Sequence, residues 1–118
     1  MHIQTQYLNI IAYPNPFKPS GADRSPGTTI SFSISRKDAK DAKTCPACRI
    51  IIYNLKGQKV KILDVSGSCR ISTIADGVVY YISWDGTDEN NQTVGLGIYF
   101  YKLKAGEFYK TRKMLLIK

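Results

Sequence analysis

The chain has 118 residues, of which 43% are hydrophobic and 11% aromatic, so it is long and apolar enough to form a single folded domain. It carries 17 Lys and Arg against nine Asp and Glu, a net charge of +8, which indicates either an anionic partner or a solvated basic surface. The composition excludes a disordered chain, and no apolar run approaches the roughly 18–20 residues that cross a bilayer as a helix.

The first predicted strand, Gln6–Tyr13, leads into a segment rich in proline. The side chains of this strand that are available for burial are Tyr7, Ile10 and Ile11. From Tyr13 to Ser20 three prolines fix the backbone and remove hydrogen-bond donors, so this segment is expected to leave the sheet as an extended bridge. Phe17, between two of these prolines, is predicted to anchor the bridge on the core.

A second strand is predicted at Thr28–Ser35, where Ile30, Phe32 and Ile34 alternate with small polar residues. The charged stretch Arg36–Lys43 has too few apolar residues to hold a helix and is expected to be a loop.

Two further strands, Cys48–Tyr53 and Val60–Val65, are predicted to form a hairpin. A three-residue loop, Leu55–Gly57, with its glycine in the left-handed conformation places Ile52 opposite Val60 and Ile50 opposite Ile62. This register puts all four apolar side chains on one face.

The second half of the chain continues the β pattern. A short strand is expected at Arg70–Ile74, an alternating one at Val78–Trp84, one with two apolar faces at Gly97–Leu103, and a last one at Phe108–Ile117. Two apolar faces are typical of a strand inside a sheet rather than at its edge. The fold class predicted for residues 1–118 is therefore all-β, an immunoglobulin-like β-sandwich of about seven antiparallel strands in one domain.

No set of residues with catalytic chemistry is evident. The lone histidine, His2, has no nucleophile and carboxylate arranged around it, and no glycine-rich phosphate loop follows a strand. Calcium ligands are considered at Asp85, Asp88, Glu89 and Asn90, but their spacing favours Asx turns. We therefore expect a protein that is not an enzyme and binds no metal and no cofactor.

The cysteines allow three interpretations. Cys45-Pro46-Ala47-Cys48 precedes a strand instead of opening a helix, which argues against a redox motif, and a zinc site lacks ligands. A disulfide between Cys45 and Cys69 is favoured, with Cys48 as the alternative partner, and three free thiols are expected if the chain is cytosolic.

Several segments together resemble a known family. They are Tyr13-Pro14-Asn15-Pro16-Phe17, Thr28–Phe32, Ile52–Val60, Trp84–Asp88, Gly97–Tyr101 and Lys113–Leu116. The chain resembles the type A sorting domain of the type IX (Por) secretion system, and is also similar to the Ig-like domain of the flagellar hook capping protein. The chain departs from the family in the Gly21–Pro26 insertion, in its cysteines, in the long Asp64–Gly77 connection, and in Asn91, which replaces the family's usual glycine.

The resemblance implies a non-enzymatic C-terminal sorting or attachment module of a longer secreted protein, exported to the cell surface. Its implied partners are the outer-membrane secretion machinery or a cell-surface glycolipid. Nucleic acid is not expected as a partner, because no recognition helix or RNA-binding aromatic signature accompanies the positive charge. By position, the residues of the implied sorting signal are Tyr13, Pro14, Asn15, Pro16, Phe17, Gly97, Tyr99, Tyr101, Lys110, Arg112, Lys113 and Lys118.

Two alternatives remain open at this point. One is a structural assembly module of the hook-cap type. The other is a module that binds carbohydrate through exposed Tyr81 and Tyr109, or a polyanion through the basic residues. The sequence leaves the oligomeric state open.

Overall fold

A computed structural model describes residues 7–18, 27–35, 47–75, 77–105 and 108–117. Eight β-strands and one helical turn succeed one another along these residues. In chain order they are β1 (Leu8–Tyr13), β2 (Thr28–Ser35), β3 (Arg49–Tyr53), β4 (Lys59–Asp64), α1 (Val65–Ser68), β5 (Arg70–Ile74), β6 (Gly77–Trp84), β7 (Gly97–Ala105) and β8 (Phe108–Leu116).

The strands form two four-stranded antiparallel sheets that face each other, so the predicted all-β sandwich is confirmed. One sheet, sheet A, has the order β1-β2-β6-β5, and the other, sheet B, has the order β4-β3-β7-β8. β7 lies between β3 and β8, as its two apolar faces predicted. The weak strand predicted at residues 70–74 is present as β5 at one edge of sheet A.

Alternating side chains of β2 and β6 fill the core between the sheets. The two strands pair along their whole length, from Thr28 opposite Trp84 to Ser35 opposite Gly77. Their buried residues are Ile30, Phe32 and Ile34 on β2, with Val78, Tyr80, Ile82 and Trp84 on β6. The inward face predicted for β2 is therefore correct, and on β6 the buried set is the one that contains Trp84.

The first strand differs from the prediction at one residue. Ile10 is buried, but Ile11 is 49% exposed, so the expectation that Ile11 is available for the core was wrong. A register shift lies between Leu8 and Ile11, and Asn9 has a positive φ of 52°. Beyond this irregularity the inward positions are Ile10 and Ala12, which turns Ile11 to solvent.

The β3–β4 hairpin has the predicted loop but a different register. Gly57 is in the left-handed conformation with φ of 83°, and Asn54 and Gln58 close the loop. A bulge then shifts the pairing, so Ile52 faces Lys61 and Ile50 faces Leu63, which corrects the predicted partners Val60 and Ile62. The extra residue lets both Val60 and Leu63 contact the core, which a regular strand could not do because their positions differ in parity.

β4 also ends one residue earlier than predicted. Val65 begins the one-turn helix α1 and is fully buried instead of continuing the strand. The carboxylate of Asp64 caps this turn by accepting hydrogen bonds from the Ser66 amide (3.1 Å) and hydroxyl (2.7 Å). The capped turn carries the chain from sheet B toward β5 in sheet A.

Candidate functional site

The proline-rich bridge crosses from the edge of sheet A to the edge of sheet B. It follows β1 and contains cis peptide bonds before Pro14 and Pro16. The hydroxyl of Thr28, a residue only 1% exposed, donates a 2.9 Å hydrogen bond to the Pro14 carbonyl. The start of the bridge is therefore fixed to the first residue of β2.

The end of the bridge pairs with the last strand. The Phe17 amide donates to the Leu115 carbonyl (2.9 Å), and the Ile117 amide donates to the Phe17 carbonyl (2.8 Å), which makes a parallel β-bridge. The side chain of Asn15 accepts from the Leu115 amide (3.0 Å) and donates to the Lys113 carbonyl (3.4 Å). The bridge thus covers the C-terminal half of the outer edge of β8, and we call this arrangement the clasp.

Aromatic side chains anchor the clasp in the core. Phe17 is 1% exposed, and its ring centroid lies 5.5 Å from that of Trp84. Trp84 lies 5.7 Å from Tyr99, whose hydroxyl donates to the Gly95 carbonyl at 2.6 Å. The indole N–H of Trp84 donates to the Thr87 carbonyl at 2.9 Å, so both polar tips are satisfied. Phe17 is therefore buried as predicted, and it connects the bridge to the centre of the sandwich.

Tyr101 connects the two sheets at the same side of the molecule. It lies opposite Arg112 in the β7–β8 ladder, and its buried hydroxyl is hydrogen-bonded by the Ala12 backbone and the Arg112 side chain. Burial raises the pKa of Tyr101, while the Arg112 charge and the two hydrogen bonds act in the opposite direction. The phenol is therefore held neutral as a link between β1, β7 and β8.

Gly97 opens β7 opposite Leu116 with φ of 135°, a backbone conformation that favours glycine. A β-carbon there would meet no atom within 4 Å, so space does not restrict this position and the backbone does.

The predicted recognition residues divide into a buried and an exposed group. Phe17, Tyr99 and Tyr101 are buried and support the fold. Pro14 is partly buried, whereas Tyr13, Asn15, Pro16, Arg112 and Lys113 are exposed around the clasp, and Tyr13 reaches 76% exposure. Lys110 is also exposed but lies opposite Leu103, toward the other end of β8, and Lys118 lies outside the described residues.

The loop after β6 forms Asx turns, as predicted. Asp85 accepts from the Thr87 amide (3.0 Å), and Asp88 accepts from the Asn90 and Gln92 amides at 2.8 and 3.0 Å. Asn91 has the positive φ that its place in the turn required. Within the described residues no group of three or more His, Cys, Asp or Glu side chains is placed to hold a metal ion.

The sequence did not predict what this loop does to the hairpin beside it. The carboxylate of Glu89 accepts from the Ile62 amide at 2.6 Å, and the Lys61 ammonium donates to the Asp88 carbonyl at 3.0 Å. Glu89 thereby satisfies an outward amide of the edge strand β4. A local pattern carries no signal for such a contact, because the partners are 27 residues apart.

The two tyrosines considered for carbohydrate binding lie on different sheets. Tyr81 belongs to β6, and Arg70 lies 5.5 Å from its ring centroid, whereas Tyr109 belongs to β8, with Lys102 at 4.8 Å. They do not form one joint platform.

The cysteines occupy different environments. Cys48 is a buried free thiol, and burial followed by the Asp64 charge raises its pKa to about 12. Cys69 is disulfide-bonded. Cys45 lies outside the described residues, so the Cys45–Cys69 pairing stays a prediction. A thiol as protonated as Cys48 is a poor nucleophile and metal ligand at neutral pH.

No helix in the described part of the chain is long and apolar enough to span a membrane.

Comparisons with known proteins reveal a shared fold. No family model matches the chain, and no curated protein matches it. A solved structure of PorZ matches with a TM-score of 0.58 and 16% sequence identity over 92% of this chain. PorZ is described as an essential bacterial surface component of the type IX secretion system of Porphyromonas gingivalis. This chain spans only 11% of the length of that one, and at this identity the likeness shows the fold alone.

Proposed function

We propose that this chain is a non-enzymatic sorting or attachment module that directs a secreted protein through the outer membrane to the cell surface. The observation that carries the proposal is the clasp, in which the Asn15 side chain bonds to Leu115 and Lys113. Two segments that resemble parts of the sorting signal, nearly a hundred residues apart, thereby share one surface. The fold shared with part of PorZ supports a role connected with the same secretion system.

The module would act as a folded shape that the secretion machinery binds. Tyr13, Pro16 and Lys113 offer an apolar, a rigid and a charged group at the surface of the clasp. Phe17 beneath them keeps these groups in place from the core side. Such recognition asks for no bond-making chemistry, only for a surface that exists once residues of both segments have met.

A reporter fused upstream of the chain tests the proposal in a bacterium with a type IX secretion system. Removing Met114 to Lys118 deletes the part of β8 that bonds to the bridge, so we expect loss of both the thermal unfolding transition and export. A truncated chain that keeps its melting temperature but is not exported would show a linear signal instead of a folded one. A truncated chain that is still exported would overturn the proposal.

Point variants separate recognition from folding. Lys113→Glu reverses an exposed charge beside the clasp, and we expect reduced export with an unchanged melting temperature, because exposed substitutions usually change stability by about 0.5 kcal/mol or less. The matched control is Lys56→Glu, which changes a lysine that is likewise exposed, on the β3–β4 loop. Equal export of both variants and the unmodified fusion would count against recognition at the clasp.

A further inference from the structure

A groove on the outer face of sheet B lies away from the clasp. It has a volume of about 440 Å³, within the range of about 300–1,000 Å³ of sites that hold drug-sized ligands. The lining residues that determine which ligand the groove can bind are Arg49, Ile51, Lys59, Ile62, Asp64 and Lys104. They come from β3, β4 and β7, so three adjacent strands of one sheet form its floor.

The groove has an excess of positive charge. Arg49, Lys59 and Lys104 provide three cations against the single carboxylate of Asp64, a difference of two charges. One oxygen of that carboxylate already accepts from the Ser66 amide and hydroxyl. Asp64 is also the partner of Arg49 in the β3–β4 ladder, so it faces one of these cations directly.

Two of these cations are direct neighbours across the sheet. Arg49 and Lys104 are partners in the β3–β7 ladder. Like charges directly opposite one another destabilise an antiparallel pair. Asp64, the partner of Arg49 on β4, offsets part of this repulsion, and an anionic group bound beside Lys104 would remove the rest, which a neutral ligand could not do.

The floor of the groove between the cations is apolar. Ile51 and Ile62 are partners across the β3–β4 ladder, with 7% and 41% of their surfaces exposed. A ligand that fits therefore combines anionic groups with an apolar one. Asp64 adds a further demand, because a carboxylate oxygen in the same groove suits an N–H donor and repels a dense polyanion.

We propose that this groove binds an acidic peptide segment of a partner protein, with carboxylate side chains on Arg49 and Lys104 and an apolar side chain on Ile51 and Ile62. A peptide supplies all three kinds of group: carboxylates, an apolar side chain, and backbone N–H donors for Asp64. Arg49 can hold a carboxylate through two parallel hydrogen bonds. The inference is separate from the proposed sorting role, since binding can be measured without a secretion system.

In this groove the ligand contacts side chains and forms no hydrogen bond with the β4 backbone at Ile62. The outward amide of Ile62 is already occupied by the Glu89 carboxylate at 2.6 Å. A partner strand therefore cannot hydrogen-bond to β4 at that point without displacing Glu89.

Other anionic partners fit less well. A polysaccharide or a nucleic acid stacks its rings on exposed aromatic side chains, and the floor here is isoleucine. A bilayer is penetrated by several protruding apolar groups, whereas here Ile51 is almost fully covered and Ile62 is 41% exposed.

The test measures fluorescence anisotropy of a short labelled peptide of alternating Glu and Leu with the complete chain. We expect binding by the unmodified chain and about 10–100-fold weaker binding by Arg49→Glu, the range for losing hydrogen bonds to a charged group. The matched control is Arg70→Glu, since Arg70 is likewise the exposed first residue of a five-residue strand, and it should bind as the unmodified chain does. Lys104→Glu repeats the test if Arg49→Glu fails to fold, as judged by circular dichroism.

Three competing results would overturn the proposal. The first is absence of binding, or equal binding of a peptide with Gln in place of every Glu. The second is equal weakening of binding by Arg70→Glu, which would show that the effect depends only on the net charge of the chain. The third is binding of heparin or of phosphatidylglycerol vesicles that is tighter than peptide binding and is lost in Arg49→Glu alone, which would assign the groove to a polysaccharide or a membrane.

Discussion

Phe17→Ala is the variant that tests most directly whether the clasp depends on the core. The Phe17 ring is 1% exposed and lies 5.5 Å from the Trp84 ring centroid, so truncation removes buried apolar surface and leaves a cavity. Buried Phe→Ala substitutions cost about 3–5 kcal/mol, a large share of the roughly 5–15 kcal/mol that stabilise a typical domain. We expect the melting temperature to fall by about 10–20 °C for a chain of this size.

Urea denaturation and amide hydrogen exchange measure the two parts of this prediction. The Ile117 amide donates to the Phe17 carbonyl, so its exchange should accelerate more than that of the Ile52 amide in the central part of sheet B. The control is Tyr13→Ala in the same segment, where the side chain is 76% exposed and the expected change is about 0.5 kcal/mol or less. A loss below about 1 kcal/mol in Phe17→Ala, or unchanged exchange at Ile117, would refute the anchoring role.

Four further results are expected. Asn15→Ala removes the two side-chain bonds to β8 and should cost about 1–2 kcal/mol in urea denaturation, with faster exchange at Leu115; an unchanged midpoint would contradict the clasp. Gly27→Ala should destabilise far more than Gly57→Ala, because both have positive φ but only at Gly27 would a β-carbon meet the Trp84 carbonyl oxygen at 2.3 Å; equal melting temperatures would contradict this. Burial raises the pKa of Tyr101 above the ordinary tyrosine value of 10.0, so its contribution to stability is present below pH 10 and is lost as the pH rises further; Tyr101→Phe should flatten this alkaline loss in pH-dependent denaturation, and an identical slope would contradict it. Cys48, with its pKa raised to about 12, should resist iodoacetamide at pH 8 in the native chain and react after unfolding, so rapid native labelling detected by mass spectrometry would contradict its burial.

Alternation along a strand predicted much of the sandwich. In β2 every second residue is apolar, and because a strand has a period of two, that pattern identifies the buried face directly. In β6 both alternating sets of residues are largely apolar, so the pattern predicts a strand without identifying its buried face. The same reasoning failed in β4, where Val60 and Leu63 both contact the core. A bulge resolves that conflict, and the choice depends on the packing of the opposite sheet, about which the strand's own sequence says nothing.

The candidate sites were predictable only in part. The prolines predicted the bridge, and Phe17 predicted its anchor, because the backbone preferences of proline and the burial preference of phenylalanine are local. The partners of Asn15 on β8 were not predictable, since they are 98 and 100 residues away. The cationic groove was missed for the same reason, because only the register between β3 and β7 places Arg49 beside Lys104.

The clasp has a consequence for the order in which this molecule matures. A chain that emerges from the ribosome, or from a pore, amino end first exposes Asn15 long before Leu115 can reach it. Until then β8 is not available to hydrogen-bond to the bridge, and the core that buries Phe17 is incomplete. A receptor that contacts Asn15 together with Lys113 would therefore engage only molecules whose folding has reached its last step.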